Sequence, residues 1–153
     1  MLDCLPTRSD DIPILAVVLR PEDVEEIDAA SGLSPEEALR MSYTLSDECI
    51  TVWDVDEPIA IFGYKVTIPD VCAVVWMLGS PKIFEHRIEF LKRSNFWVDY
   101  IHKKVPLLYN MVYHKNTVHI KWLRWLGFVF VQRIENAGVK GQPFIEFARL
   151  KNV

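Results

Sequence analysis

The segment 116–128 constrains the fold of this chain more than any other stretch. It reads Asn-Thr-Val-His-Ile-Lys-Trp-Leu-Arg-Trp-Leu-Gly-Phe. At about 100° per residue, its apolar side chains fall on one broad arc of a helix, and its basic side chains point away from that arc. The arc contains Val118, Trp122, Leu123, Trp125 and Leu126, and the basic residues are Lys121 and Arg124. Gly127 stands where a left-handed residue ends a helix, and Phe128 opens an alternating stretch. We therefore expect a short helix with one buried face that leads directly into a strand.

Caps, breakers and alternation predict the other elements of the first half. The expected elements are a strand at 2–7, a helix capped by Ser9 that runs through Arg20, a helix from Pro21 to Ser31-Gly32, a helix capped by Ser34 that reaches about Leu45, and strands at 49–53, 58–64 and 71–78. Residues 54–57 form a tight hairpin between the first two of these later strands. The continuous apolar run at 71–78 is typical of a central strand that is covered on both faces.

The second half begins with a predicted long helix. Ser80 caps it, Pro81 suits its first position, and Pro106 interrupts it. Its expected buried stripe is Ile83, Phe84, Ile88, Leu91, Val98 and Ile101. A strand at 107–113 then leads to Asn116, and strands at 128–135 and 143–150 form a hairpin across the Gly138/Gly141 loop.

Composition predicts the class of protein. A chain of 153 residues, 50% of them hydrophobic, is expected to form one domain at residues 1–153. No stretch approaches the roughly 20 apolar residues of a membrane helix, and the N-terminus lacks the pattern of a signal peptide, so we expect a cytoplasmic protein. The three cysteines, Cys4, Cys49 and Cys72, are too scattered for a disulfide framework or a zinc site, and buried free thiols are expected.

Charge is distributed unevenly along the chain. Residues 1–79 carry 16 acidic and 4 basic side chains, or about −12, whereas residues 80–153 carry 5 and 13, or about +8. One interpretation is that opposite charges meet across the folded surface and mostly cancel. The other is that the basic half faces an anion, which is a phosphorylated cofactor, a nucleic acid or an acidic partner.

The asparagine, the short helix and the Gly-Phe that ends it resemble the last motif of the GNAT N-acetyltransferase superfamily, roughly Asn-x-x-Ala-x-x-Leu-Tyr-x-x-x-Gly-Phe. Asn116, Trp122, Gly127 and Phe128 fit this pattern. His119 occupies the family's Ala position, and Leu123 occupies the position of the tyrosine that is the usual general acid. A leucine cannot donate a proton. The resemblance implies an α/β (α+β) fold with a mixed central sheet of about 6–7 strands flanked by about 4–5 helices, which the predicted order of elements matches.

The resemblance also implies where acetyl-CoA would bind. In the family, a glycine-rich loop between the fourth strand and the long helix directs backbone N–H groups at the diphosphate. Residues 77–84 keep Gly79, but Pro81 has no N–H and the second small residue is missing. We therefore expect weak or absent coenzyme binding, with Lys82, His86 and Arg87 as partial replacements. If the cofactor is retained, its expected contacts are Trp76, Met77, Leu78, Gly79, Ser80, Lys82 and Asn116.

Catalytic candidates are few. Four acidic residues lie near the predicted hairpin, namely Glu48, Asp54, Asp56 and Glu57. One of them could act through water as a general base for a substrate amine. The alternative is that they are solvated turn residues. His119 either packs in the core or takes part in catalysis. Tyr113 and His114 are the candidates to replace the missing acid. The sequence contains no Ser/His/Asp triad pattern, P-loop or metal-ligand spacing, so no metal is expected.

Three further segments are similar to a divergent GNAT-like group encoded by tailed bacteriophages. They are residues 20–27, 33–39 and 119–128, and some members of the group resemble the internal virion protein of short-tailed podophages. The leading hypothesis is a catalytically degenerate phage protein that contacts other phage virion or host proteins, in the virion or the host cytoplasm. The alternative is an active acetyl-CoA-dependent N-acetyltransferase that modifies a host protein or a small amine.

A third hypothesis is nucleic-acid binding by the basic half. It depends on basic side chains of the predicted long helix, namely Lys82, Arg87, Lys92, Arg93, Lys103 and Lys104. Glu85, Glu89 and Asp99 stand at helical spacing from several of them, which favours a solvated helix surface instead.

Overall fold

The computed structural model describes residues 1–152, which form seven strands, five α-helices and one 3₁₀ helix. The strands are β1 (Leu2–Pro6), β2 (Glu48–Asp54), β3 (Glu57–Ile68), β4 (Cys72–Gly79), β5 (Leu107–Tyr113), β6 (Val129–Ile134) and β7 (Phe144–Leu150). The helices are α1 (Asp11–Ala16), α2 (Pro21–Ser31), α3 (Pro35–Leu45), α4 (Arg87–His102) and α5 (Thr117–Trp125), and the 3₁₀ helix is Pro81–His86. The predicted α/β (α+β) class and its numbers of strands and helices are confirmed.

All seven strands belong to one mixed sheet with the order β1-β2-β3-β4-β5-β7-β6. Neighbouring strands are antiparallel except β4 and β5, which are parallel. This parallel pair extends only from Cys72↔Leu107 to Val74↔Tyr109. Beyond it, the Asn110 side-chain amide donates to the Val75 carbonyl at 2.8 Å. The two strands therefore separate toward Gly79 and Tyr113 and leave a cleft in the middle of the sheet.

Local signals account for several element boundaries. Ser34 accepts from the Glu37 N–H and the Glu37 side chain accepts from the Ser34 N–H, which is the predicted capping box. Gly32 ends α2 at φ 72° and Gly127 follows α5 at φ 83°, both in the left-handed region that favours glycine. The predicted hairpins β2–β3 and β6–β7 are also present.

The first predicted helix was wrong in extent and in its cap. Helix α1 covers only Asp11–Ala16, and its N-cap residue is Asp10, which makes no side-chain capping hydrogen bond. The Asp11 carboxylate instead accepts from the Arg8 N–H at 3.0 Å and holds the turn before the helix. That carboxylate also accepts from the Thr51 hydroxyl at 3.0 Å, which ties the helix to strand β2.

The predicted stripe of the long helix was wrong at two positions. Phe84 is 51% exposed and Ile88 is 67% exposed, because residues 81–86 form a 3₁₀ helix and α4 begins only at Arg87. A 3₁₀ helix has 3.0 residues per turn, so it shifts the phase of the side chains relative to an α-helix. The residues that α4 buries are Phe90, Ser94, Val98, Ile101 and His102. Trp125 was also predicted on a buried arc, but it is 74% exposed.

Hydrophobic side chains pack on both faces of the sheet. One cluster joins α4 and α5 to the sheet through Val98, Ile101, Leu108, Leu123 and Phe147, and another joins α1 and α3 to the opposite face. All three cysteines are free, but Cys4 and Cys49 are only half-buried, unlike the prediction. Among residues 1–152, no helix has the length and hydropathy needed to cross a membrane.

Candidate active-site cleft

The cleft between β4 and β5 is bridged at its mouth by a buried hydrogen-bond network. Arg20 and Asp23 form an ion pair with an N–O distance of 3.0 Å, and the two residues are 2% and 1% exposed. The Asp23 carboxylate also accepts from the Gly79 N–H at 3.0 Å and from the Asn116 amide at 3.1 Å. The start of α2 thereby joins the end of β4 to the start of α5. We call Arg20, Asp23, Gly79 and Asn116 the Asp23 network.

The backbone N–H groups after β4 all have partners within the chain. Gly79 donates to Asp23, and Ser80 donates to the Ile59 carbonyl at 2.8 Å. Lys82 donates to the Ser80 hydroxyl at 3.2 Å, and Ile83 donates to the Ser80 carbonyl at 3.2 Å. Pro81 has no N–H. The segment 79–83 therefore presents no unbonded backbone donor to a ligand.

Gly79 makes room for a side chain of the protein itself. A Cβ atom built on this residue would lie 2.3 Å from Ile83 Cδ1. Ile83 is 7% exposed and belongs to the core. The space that a small residue creates here is thus filled by Ile83.

The start of α5 has the predicted geometry but little reactive chemistry. The Asn116 side chain accepts from the His119 N–H at 3.2 Å and caps the helix. Burial lowers the pKa of His119 to about 4, so its ring is neutral near pH 7. Its Nδ1 atom is buried and has no hydrogen-bond partner among the described residues. Leu123 is 1% exposed and packs in the core between the sheet and the helices.

Two cavities of very different size adjoin the strands of the cleft. Trp76, Met77, His119 and Leu123 are among the residues around a cavity of about 30 Å³. On the α2/α3 side, a larger pocket of about 330 Å³ is lined by residues that include Glu26, Trp76 and His119. Burial raises the pKa of Glu26 to about 7, although its carboxylate accepts from the Tyr113 N–H at 2.8 Å. The larger pocket is bounded by both strands of the cleft, through residues 75–78 of β4 and Asn110 and Met111 of β5. The smaller cavity has room for little more than a water molecule.

The structure separates the predicted acidic candidates. Glu48 and Asp54 lie at opposite ends of β2, about 20 Å apart at 3.4 Å per residue, so Glu48 is not near the hairpin. Glu48 accepts from the Tyr100 hydroxyl at 3.0 Å. Asp54 contacts His86 Nε2 at 3.0 Å, and Glu57 pairs with Lys82. Asp54 and Glu57 therefore bind side chains that were candidates for contacting a coenzyme.

The other candidates also have structural contacts. Tyr113 is 3% exposed, and its ring packs against Phe144 with a centroid distance of 5.4 Å. The neighbouring His114 ring contacts Tyr113 edge-on at 5.1 Å. The Trp76 indole donates to the Ser46 hydroxyl at 2.8 Å, on the α3 side. Met77, Leu78 and Ser80 are buried. Asp23 joins two of the candidates, Gly79 and Asn116, through hydrogen bonds.

Arg20, Asp23 and Glu26 are the residues that sequence reasoning missed. They stand at three-residue spacing across the start of α2, which indicates a shared helix face. The pattern gave no sign that this face is buried, because its contacts lie 56 and 93 positions away at Gly79 and Asn116. Within residues 1–152, no cluster of three His, Cys, Asp or Glu side chains could hold a metal ion.

Comparison with known proteins assigns the chain to a family. The family described as bacteriophage T7, probable scaffold protein Gp13, matches residues 48–134. The chain belongs to this family. It is also similar to the probable scaffold protein gp13 of Escherichia phage T7, with 28% identity over 143 residues that cover 90% of this chain and 92% of that protein.

Solved structures with the same fold include acetyltransferases. A GCN5-related N-acetyltransferase from Kribbella flavida has a TM-score of 0.70 and 14% identity, with 98% of each chain covered. A Bacillus subtilis acetyltransferase in complex with CoA has a TM-score of 0.70 and 10% identity, covering 99% of this chain and 100% of that chain. The fold is therefore that of the GNAT superfamily, as the motif at 116–128 predicted, in a family named for a phage scaffold protein.

Proposed function

We propose that this protein is a catalytically degenerate GNAT-fold scaffold protein of a bacteriophage. It acts through contacts with other phage virion proteins or host proteins, in the virion or in the host cytoplasm. The observation that carries the proposal is the state of segment 79–83, where each backbone N–H group already has a partner inside the chain. Membership of the gp13 family supports the scaffold role.

Binding of a coenzyme diphosphate needs several donors that converge on its oxygens. To free the Gly79 N–H for this purpose, Asp23 would have to move away from Arg20 and Asn116. Breaking such a buried pair costs about 3–5 kcal/mol. That cost lowers affinity by at least a factor of 100, because each 1.4 kcal/mol is a factor of ten.

Neither of the two candidate positions on α5 supplies a proton. Leu123 has no titratable group, and the low pKa of about 4 leaves almost no protonated His119 near neutral pH. Between β4 and helices α4 and α5, the cavity measures only about 30 Å³, which is too small for the reactive arm of a coenzyme on that side of the sheet. The GNAT architecture thus serves here as a rigid framework for protein contacts.

Calorimetric titration with acetyl-CoA tests the proposal. We expect no binding heat up to millimolar coenzyme, and no transfer of label from labelled acetyl-CoA to proteins of a host lysate or to small amines. A dissociation constant in the low micromolar range, together with transferred label, would establish the alternative N-acetyltransferase activity. Mass spectrometry of purified phage particles tests the location, and absence of the chain from the particle would restrict its role to the host cell.

A further inference from the structure

Helices α4 and α5 enclose an apolar groove on the protein surface. Its volume is about 470 Å³, and its apolar floor and walls include Phe84, Ile88, Leu91, Val118, Trp122 and Trp125. We call it the α4/α5 groove. Trp125 is 74% exposed, Ile88 is 67% exposed and Phe84 is 51% exposed. Contiguous exposure of large apolar side chains is typical of an interaction site, and tryptophan often contributes much of the binding energy at such sites.

The rim of the groove is basic. Arg87, Lys92 and Lys121 line it and are exposed, and none of them pairs with a carboxylate within residues 1–152. No acidic side chain of the described residues lines the groove. Two neighbouring cations do have carboxylate partners, since Lys82 pairs with Glu57 and Arg93 pairs with Glu89. The rim of the groove therefore carries three unpaired positive charges, which complement a negatively charged partner.

The shape of the groove fits a helix. Its lining residues run from 87 to 95 on α4 and from 117 to 125 on α5, which is about 12 Å on each helix at 1.5 Å per residue. Two turns of each helix thus border it. The ridges of a third helix fill the space between two adjacent helices, and an amphipathic helix places apolar side chains at three- and four-residue spacing.

We propose that the α4/α5 groove binds an acidic amphipathic helix of a partner protein. Bulky apolar side chains of this helix pack against Ile88 and Trp125, and its carboxylates face Arg87, Lys92 and Lys121. A nucleic acid would leave the apolar floor exposed to water, so a protein helix is the better complement. This inference rests on the proposed function, because a bound coenzyme would compete for the space next to α4.

A display library of 16-residue helical peptides with randomised surface positions tests the inference. We expect peptides selected on the wild-type chain to be enriched in Asp and Glu and in Leu, Phe or Trp at three- and four-residue spacing. A selected peptide should bind at least tenfold more weakly to Trp125→Ala and to Lys121→Glu. Exchange of its acidic residues for lysine should restore binding to Lys121→Glu.

Control measurements keep the outcomes distinct. Val131→Ala is the control variant, because the Val131 side chain is 56% exposed but lies on β6, outside the groove. It should leave peptide affinity unchanged. Unchanged circular dichroism and thermal midpoints show that the variants remain folded. Selected peptides that are no more acidic than the library, or that bind Trp125→Ala and Lys121→Glu as well as wild type, would overturn the inference. If acetyl-CoA binds and displaces the peptides, the proposed function fails; if neither ligand binds, only the inference on the groove fails.

Discussion

The Asp23 network and the α4/α5 groove lie near the same cleft, but they differ in polarity, in burial and in the pairing of their charged groups. The network is polar and buried, and its Asp23 carboxylate accepts hydrogen bonds from Arg20, Gly79 and Asn116. The groove has an apolar lining, and three exposed cations at its rim, Arg87, Lys92 and Lys121, have no carboxylate partner within the described chain. The polar groups at the mouth of the cleft therefore bind one another. The adjacent groove, in contrast, exposes apolar side chains and unpaired cations.

The largest predicted effect concerns a buried arginine and its exposed counterpart. Arg20→Ala leaves the Asp23 carboxylate buried without its cation, so it should lower the free energy of unfolding by about 3–5 kcal/mol. Arg40→Ala breaks an ion pair with Glu36 in which the two side chains are 48% and 49% exposed. It should change the free energy of unfolding by less than about 1 kcal/mol. Urea denaturation measures both. Equal effects would show that the network does not hold the cleft together.

Two residues of α5 sharpen the comparison between its core side and its groove side. Leu123→Ala removes a core side chain that is 1% exposed, and should cost about 2–5 kcal/mol of stability. Trp125→Ala removes a larger side chain that is 74% exposed, and should cost less than about 1 kcal/mol. Chemical denaturation separates them. A large loss for Trp125→Ala would mean that this side chain supports the fold instead of binding a partner.

Stability should depend on pH through two groups of opposite sign. The folded-state pKa of Glu26 is raised from 4.5 to about 7. Its contribution to the free energy of unfolding is therefore fully present below pH 4.5 and is lost as pH rises to 7. The pKa of His119 is lowered from 6.5 to about 4, so its contribution is present above pH 6.5 and is lost as pH falls to 4. The two largely cancel between pH 4.5 and 6.5.

Single variants reveal each contribution. Relative to Glu26→Gln, the wild type should lose stability as pH rises from 4.5 to 7, by about 1–3 kcal/mol. Relative to His119→Gln, it should lose a similar amount as pH falls from 6.5 to 4. Denaturation at several pH values tests both signs. Flat differences would place the two side chains in water and open the α2 side of the cleft.

The last comparison measures a coupling of about 1 kcal/mol between Gly79 and Ile83. Gly79→Ala should cost about 1–3 kcal/mol, because the new methyl group would overlap Ile83 Cδ1. Ile83→Val removes that atom, so the cost of Gly79→Ala should fall by about 1 kcal/mol in the Ile83→Val background. Thermal denaturation of the four proteins gives this coupling. The same cost in both backgrounds would leave the space above Gly79 free for a ligand.

The order of elements was predictable because its signals are local. The Ser34/Glu37 capping box, the glycines at 32 and 127 and the alternating strands each act within a few residues. The exposure of Phe84 was not predictable, because a short 3₁₀ helix shifts the phase of the side chains. Trp125 was misjudged because periodicity defines an arc without indicating which part of it meets the sheet.

The candidate site was predictable only in part. The missing backbone donor at Pro81 and the missing acid at Leu123 follow from residue type alone. The role of Asp23 depends on contacts with Gly79 and Asn116, which only the fold brings together. Burial of His119 likewise depends on how α5 packs on the sheet.

Amide hydrogen exchange at Gly79, Ser80, Lys82 and Ile83, followed by NMR with and without acetyl-CoA, tests the central claim most directly. The N–H groups that have internal acceptors should exchange slowly, and their resonances should not shift in millimolar coenzyme. Fast exchange without coenzyme, with protection and shifted resonances once it is added, would contradict the claim that these donors belong to the fold.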